Sequence, residues 1–246
     1  MTIPIARPPW THLGKRLESA CRKALYDFKL LEEAPKVAIA LSGGKDSLAL
    51  LFLLKAIVGR GFPASDLYAI HISGEFSCGA SLQMNYLGEI CRELNVPLIT
   101  RCSTQKLETL QCYSCSRERR TLIFEAAKSV GARTIAFGHH RDDHVQTLLM
   151  NLLHKAEFAG NLPKIHMQEY GVTLIRPLIY IAEKDILTFA QQQGFARIVC
   201  RCPVGQNSMR RQTEQMIDEI EAVFPYARAN LAKSALLYGS QKAATP

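Results

Sequence analysis

Three short stretches of the sequence hold residues able to do chemistry. In the first, Ala40-Leu41-Ser42-Gly43-Gly44-Lys45-Asp46-Ser47, an apolar run gives way to a helical pattern. Backbone amides at such a junction can point at an anion, with the positive end of the helix dipole behind them. Gly43 and Gly44 let the backbone approach closely, Lys45 supplies a full charge, and Ser42 and Ser47 supply hydroxyls. Asp46 can hold a magnesium ion that bridges phosphate oxygens. This is not a Walker A loop: the position six before Lys45 is Ile39 rather than Gly, and Asp46 follows the lysine where Ser or Thr is needed.

The second stretch is Cys112-Tyr113-Ser114-Cys115, just ahead of a helical pattern over Arg117–Val130. CxxC spacing lets two thiolates reach one metal, and an adjoining helix terminus favours their ionised form. Two ligands do not complete a site; Cys200 and Cys202 are candidates for the rest. The other four cysteines, Cys21, Cys78, Cys91 and Cys102, fall in apolar or helical contexts and read as small buried residues. The third stretch, Gly138-His139-His140-Arg141-Asp142-Asp143, gathers imidazoles and carboxylates in one turn. Asp142 and Asp143 are candidate acids for proton transfer or metal orientation, and Asp142 has the alternative role of a helix cap.

Positioning these stretches requires strands that end together. Short β-branched runs at Val37–Leu41, Tyr68–Ile72, Pro97–Arg101 and Thr134–Phe137 alternate with helical patterns at Asp46–Val58, Leu82–Leu94, Arg117–Val130 and Asp143–His154. That order predicts an α/β fold with a parallel sheet flanked by helices. The first and third stretches then lie in strand-to-helix turns at the carboxyl edge, where open parallel sheets bind ligands. The helix after Val37–Leu41 is apolar on nearly every face, which suits burial. A lead-in helix is expected over Leu13–Phe28, with Leu17, Cys21, Ala24, Leu25 and Phe28 at helical spacing. Another is expected near Ala182–Gln193, and Met209, Met216, Ile217, Ile220 and Phe224 make an apolar stripe for a packed tail. The expected division is 1–35 as the helical lead-in, 36–204 as the catalytic body and 205–246 as a helical extension.

The composition narrows the setting. A chain of 246 residues with 48% hydrophobic content can bury one full core. A formal charge of +8 makes polyanions the expected partners, and Arg117, Arg119, Arg120, Arg201, Arg210 and Arg211 either grip RNA phosphates or form an ordinary solvated face. The longest apolar run, Leu48–Leu54, falls far short of the ~20 residues that cross a bilayer. The first ten residues lack the basic start and apolar core of a secretory signal, so a cytoplasmic setting is expected. Eight cysteines in a chain of this length point to thiol or metal chemistry rather than a disulfide framework.

Ser42–Ser47 matches every fixed position of SGGxDS, the signature of the PP-loop ATP pyrophosphatase superfamily, which the sequence resembles. That resemblance implies a Rossmann-like fold, cleavage of ATP between the α and β phosphates, and adenylation of a substrate oxygen. LSGGKDS, CYSCSRERR, AFGHHRDDHVQTLLMN, the EKDI segment after Arg176-Pro177-Leu178, and Cys200 with Gln206 and Arg211-Gln212 extend the likeness over nearly the whole chain. Together they resemble the tRNA 2-thiocytidine synthetase family.

This second resemblance implies ATP-dependent replacement of oxygen by sulfur at C2 of an anticodon-loop cytidine, a base already accessible in a single-stranded loop. It implies Cys112, Cys115 and Cys200 as ligands of a 4Fe-4S cluster with one iron left open. The family usually shows a second CxxC where this chain has Cys200-Arg201-Cys202-Pro203; gapless alignment through Arg211 favours Cys200, with Cys202 the alternative. The implied nucleotide set is Ala40, Ser42, Gly43, Gly44, Lys45, Asp46, Ser47, Gly138 and His139. The implied catalytic set is Lys45, Asp46, Arg119, Asp142 and Asp143, with Arg119 steadying developing negative charge. ATP, Mg2+ and tRNA are the expected ligands, with a sulfur donor such as a cysteine desulfurase, and a homodimer is compatible. The rival readings are a PP-loop tRNA enzyme with another acceptor and a zinc-stabilised RNA-binding protein.

Overall fold

The structure, a computed structural model, describes residues 3–74, 80–105, 112–195 and 209–239, leaving out the side chains of residues 80–83 and 112–115. Its elements run α1 (His12–Asp27), β1 (Lys36–Ala40), α2 (Lys45–Ile57), β2 (Asp66–Ser73), α3 (Ala80–Glu93), β3 (Leu98–Cys102) and α4 (Cys112–Ser129). Then come β4 (Thr134–Ala136), α5 (Arg141–Lys155), β5 (Lys164–Met167), β6 (Val172–Ile175), α6 (Glu183–Gln192), α7 (Met209–Val223) and α8 (Ala227–Tyr238).

The six strands lie in the order β3-β2-β1-β4-β6-β5, parallel except for β5, which pairs antiparallel with β6 through a tight turn at Gly171 (φ 62°). The expected parallel sheet therefore carries one antiparallel edge strand. Neither β5 nor β6 was visible in the sequence, because four residues are too few to declare a period.

Alternation along the strands divides the core between two faces. Val37, Ile39, Ala69 and Ala136 pack with α1, α2, α3 and α6, whereas Ala38, Ile70, Ile72, Ile135 and Leu174 pack against α4. Helix α2 is buried from Ser47 to Leu54 and exposes only Lys55 in its second half, as its all-round apolar character required. Leu17, Cys21, Ala24 and Leu25 seat α1 on the same face.

The tail departs from expectation. Of the stripe on α7 only Ile217 is buried, while Met209, Met216, Ile220 and Phe224 are exposed. A small apolar cluster of Ile217 and Ala232 on Val145 of α5 fastens the tail, together with a polar anchor. Arg228 on α8, with a side chain 7% exposed, meets Asp142 at 3.3 Å, Glu214 at 2.8 Å, Asp218 at 2.6 Å and Glu221 at 3.0 Å. Cys21 and Cys91 are buried, and burial pushes their thiols up to about 12 and about 11, as befits inert core residues. Cys102 is exposed instead, because it sits at the carboxyl end of β3 where the strand leaves the sheet; Cys78 lies outside the described residues.

Two predictions follow from these buried polar groups. Replacing Arg228 with Ala takes from the buried Asp142 carboxylate its nearest cation, leaving Arg141 and the His140 ring at 3.8 Å and the Glu183 N–H at 2.7 Å. The expected loss is about 3–5 kcal/mol, read from the urea midpoint, and a loss below about 1 kcal/mol would show that the tail is held otherwise. His71 and His144 are buried, each with Nδ1 on a carbonyl (Leu41 at 2.8 Å, Asn161 at 2.9 Å), and burial lowers both from the ordinary value of 6.5. Unfolded imidazoles then bind protons that the folded ones refuse, so stability is full above 6.5 and falls as the pH drops below it. Urea midpoints at pH 7.5 and 5.5 should differ in that sense; equal midpoints would contradict it.

Candidate active site

Strands β1 and β4 are neighbours, yet β1 continues to β2 on one side and β4 lies beside β6 on the other, so the sheet's order reverses between them. A crevice opens outside such a switch point. The loop after β1 and the turn after β4 both end there, in register through the Ile39–Ala136 pair. They touch: a Cβ on Gly138 would stand 3.0 Å from the Asp46 carbonyl carbon and 3.1 Å from the Ser47 nitrogen. Only glycine allows that approach, since both obstacles are backbone.

The loop itself is internally bonded. Gly43, at φ 86°, donates its N–H to Ser47 Oγ at 3.2 Å, and Gly44 donates to Ser42 Oγ at 3.3 Å. The two hydroxyls lie 3.1 Å apart, and Ser47 also donates to the Gly44 carbonyl at 3.0 Å. Amides and hydroxyls thus converge at the N-terminus of α2 around a space suited to an anion.

Lys45 Nζ lies 2.7 Å from Glu183 Oε1 and 3.1 Å from Asp46 Oδ2. Burial opposes its charge, but the two carboxylates outweigh burial and hold its pKa above the ordinary value. Asp46 fares differently: burial raises its carboxyl pKa despite Lys45 and His140. Its Oδ1 is buried and accepts no hydrogen bond, with His140 Nε2 3.8 Å away.

The turn after β4 separates its two acids. Asp143 caps its own helix, accepting the His140 N–H at 3.0 Å while His140 Nδ1 accepts the Asp143 N–H at 3.4 Å. Asp142, 5% exposed, reaches the other way. Its Oδ2 accepts the N–H of Glu183, the first residue of α6, at 2.7 Å, and Oδ1 faces Arg228. Ala182 has no side chain with which to cap α6, so Asp142 supplies that cap from 41 residues away. The cap expected of Asp142 on α5 thus belongs to His140, with Asp143 at the third helical position completing the capping box.

A cleft of about 520 Å3 lies against these turns. Of the sequence-predicted residues, Ala40, Ser42, Asp46, Ser47, Arg119, Gly138, His139 and Asp143 line it; Gly43, Gly44, Lys45 and Asp142 do not. Ile70, Ile72, Ile123 and Phe137 add an apolar wall, and Arg120 and Arg210 add charge. Arg210 meets Asp143 at 3.1 Å. Burial would raise the Asp143 carboxyl, but His140, through its ring and its backbone N–H, and Arg210 prevail and keep it below the usual range. His139 stacks on Phe137 with ring centroids 5.6 Å apart, and burial, helped by Arg176, pushes its imidazole down to about 3. It is a neutral ring among guanidinium groups.

Arg117 and Arg211 are exposed outside the cleft, and Arg201 lies beyond the described residues. Helix α4 begins at Cys112, five residues before the expected start, so Cys112 and Cys115 belong to its first turn. Their side chains lie outside the described residues, as do Cys200 and Cys202 entirely. Among the described residues no group of three His, Cys, Asp or Glu is placed to hold a metal. Two participants escaped the sequence reading. Glu183 was seen only as part of EKDI, and Arg228 not at all; a lone acid at a helix start and a lone arginine in a tail give no sign of distant partners.

Comparison with known proteins agrees with this geometry. The PP-loop domain family matches residues 12–199. The tRNA-cytidine(32) 2-sulfurtransferase of Bordetella avium is 34% identical over 228 residues, covering 89% of this chain and 72% of that protein. Its counterpart in Syntrophotalea carbinolica is 31% identical over 229 residues, covering 89% and 87%. The U34-tRNA thiolase NcsA from Methanococcus maripaludis, solved with its 4Fe-4S cluster, superposes with a TM-score of 0.75 at 22% identity, over 98% of this chain and 90% of that one. NH3-dependent NAD synthetase from Campylobacter jejuni superposes at 0.51 with 14% identity, over 96% and 98%, which extends the likeness of fold. With the phosphate loop and the acid-bearing turn meeting at the switch point, the chain belongs to the PP-loop family and, within it, to that of the tRNA-cytidine(32) 2-sulfurtransferases, enzymes of the transferase class.

Proposed function

We propose that this chain is an ATP-dependent tRNA sulfurtransferase that replaces the C2 oxygen of an anticodon-loop cytidine with sulfur. The supporting observation is the convergence on one cleft of an anion-binding loop, an ionised acid and three arginines, in a chain whose relatives are named for cytidine(32) 2-sulfurtransfer.

The loop amides, Ser42, Ser47 and Lys45 bind the β and γ phosphates of ATP. The C2 oxygen of the cytidine attacks the α-phosphorus, pyrophosphate leaves, and the base carries AMP on that oxygen. A sulfur nucleophile from a donor protein then adds at C2, and AMP departs with the original oxygen. Arg119 and Arg120 offset the negative charge that develops in these steps, and Asp143 holds Arg210 beside the incoming base. The neutral His139, backed by Phe137, offers a flat apolar face and a buried Nδ1 without a hydrogen-bond partner, which suits an extruded pyrimidine.

The orphaned Asp46 Oδ1 fits a hard divalent cation, and Asp46 is the residue that would hold Mg2+, whose charge offsets that of the phosphates. Three thiolates at Cys112, Cys115 and Cys200 would suit an iron–sulfur cluster, which when bound supplies a thiophilic site for the incoming sulfur. Positions 112, 115, 116, 119 and 123 of α4 are spaced as one helical stripe, and Ser116, Arg119 and Ile123 border the cleft.

Two measurements test the proposal. Mass spectrometry of tRNA nucleosides should show loss of 2-thiocytidine from cells lacking the protein, restored by the intact chain. Lys45→Ala should restore about 10²-fold less activity in vitro. An unchanged nucleoside profile would remove the proposed acceptor. Binding to an isolated anticodon stem-loop should weaken with salt, and Arg120→Ala or Arg210→Ala should each reduce the log–log salt slope by about 1. A slope unmoved by either variant would take the arginines out of the tRNA contact.

A further inference from the structure

In a phosphate loop the lysine is expected to serve the anion, and here carboxylates hold it. Asp46 and Ser47, the next two residues, line the cleft, whereas Lys45, like Gly43 and Gly44, does not. Its ammonium group lies 3.1 Å from Asp46 Oδ2 on the cleft side and, closer still, 2.7 Å from Glu183 Oε1, a contact between residues 138 positions apart. Glu183 is well mounted for this. Its own N–H is fixed by the buried Asp142 at 2.7 Å, and Asp142 is fixed in turn by Arg228, so the first turn of α6 is held rigidly over the loop. The Glu183 side chain is 42% exposed, so it can return to water when it lets go; Lys45, at 21%, cannot stay unpaired at so little cost.

We infer that Glu183 is a positioning residue that holds Lys45 out of the anion site until phosphates compete for it, and that takes Lys45 back when pyrophosphate leaves. This rests on the phosphate-loop role given to Lys45 above. The exchange replaces one carboxylate partner by a polyphosphate of higher charge, so it favours the ligand while taxing its affinity. Apparent affinity is reduced by the fraction of molecules in which Lys45 is free, and a pair formed about nine times in ten costs about tenfold. The same pair lowers the barrier to product departure, because the lysine that clasped pyrophosphate has a second partner within reach.

A double-mutant cycle with inorganic pyrophosphate and Mg2+ as the probe tests this by titration calorimetry on the full chain. Glu183→Gln keeps the backbone N–H that Asp142 accepts and removes the competing charge. It should lower the Kd for pyrophosphate severalfold, up to about tenfold, and slow its dissociation. Glu183→Asp keeps the charge but shortens its reach, and should fall between. In a Lys45→Ala background Glu183→Gln should have no such effect, since the competition needs the lysine; circular dichroism and melting confirm that each variant is folded. Unchanged or weaker binding by Glu183→Gln overturns the inference, and so does equal tightening in both backgrounds, which would mark simple relief of negative charge. If Lys45→Ala alone leaves pyrophosphate affinity untouched, the phosphate-loop reading itself fails and this inference fails with it.

Discussion

The buried Asp142 carboxylate ties together α5, α6 and α8, beside the small apolar cluster of Val145, Ile217 and Ala232. It sits at the start of α5, caps α6 through the Glu183 N–H, and pairs with Arg228 of α8. A charge in so dry a place is tolerable only while both oxygens are satisfied, which makes the geometry all-or-none. From this follows the position of Glu183, and from Glu183 the position of Lys45. The phosphate loop is thus connected to the C-terminal tail through Lys45, Glu183, Asp142 and Arg228, although more than 180 residues separate Lys45 from Arg228 in the sequence.

The sheet supplies the second constraint. Because the chain order reverses between β1 and β4, the two turns that bear the polar residues diverge enough to leave a crevice, yet Gly138 lets them touch at its floor. The walls of that crevice are unequal. Ile70, Ile72, Ile123 and Phe137 offer an apolar surface, and Arg119, Arg120 and Arg210 offer charge. Burial first, and then the charge of Arg176 and its neighbours, keeps His139 neutral.

The tail is held by charge more than by apolar burial. Helix α7 keeps Ile217 and Thr213 inside and leaves most of its apolar residues in solvent, while Arg228 gathers carboxylates from α7 and from the turn after β4 at once. An arginine fork can satisfy several acids in fixed directions, which a hydrophobic contact of the same size would not do. Orientation is therefore set by Arg228, and Arg210 on α7 is delivered to Asp143 as a consequence.

What the sequence determined by itself was whatever depends on near neighbours: α1, α2, α5 and the first four strands, from periodicity; the strand-to-helix junction at Ser42–Ser47; the placement of His139 and Asp143 beside it, from strand order. Helix α4 was legible except for its first turn, where Cys112–Cys115 has no apolar period to announce a helix. Tertiary structure alone decided the roles of the two acids. Asp142 and Asp143 are adjacent in sequence and alike in chemistry, but the turn of the helix aims one at α6 and α8 and the other at the cleft. It also decided that Lys45 meets Glu183 and that Arg228 anchors the tail. Each is a contact between distant residues, and long-range pairing of charges leaves no period or spacing in a single sequence from which it could be read.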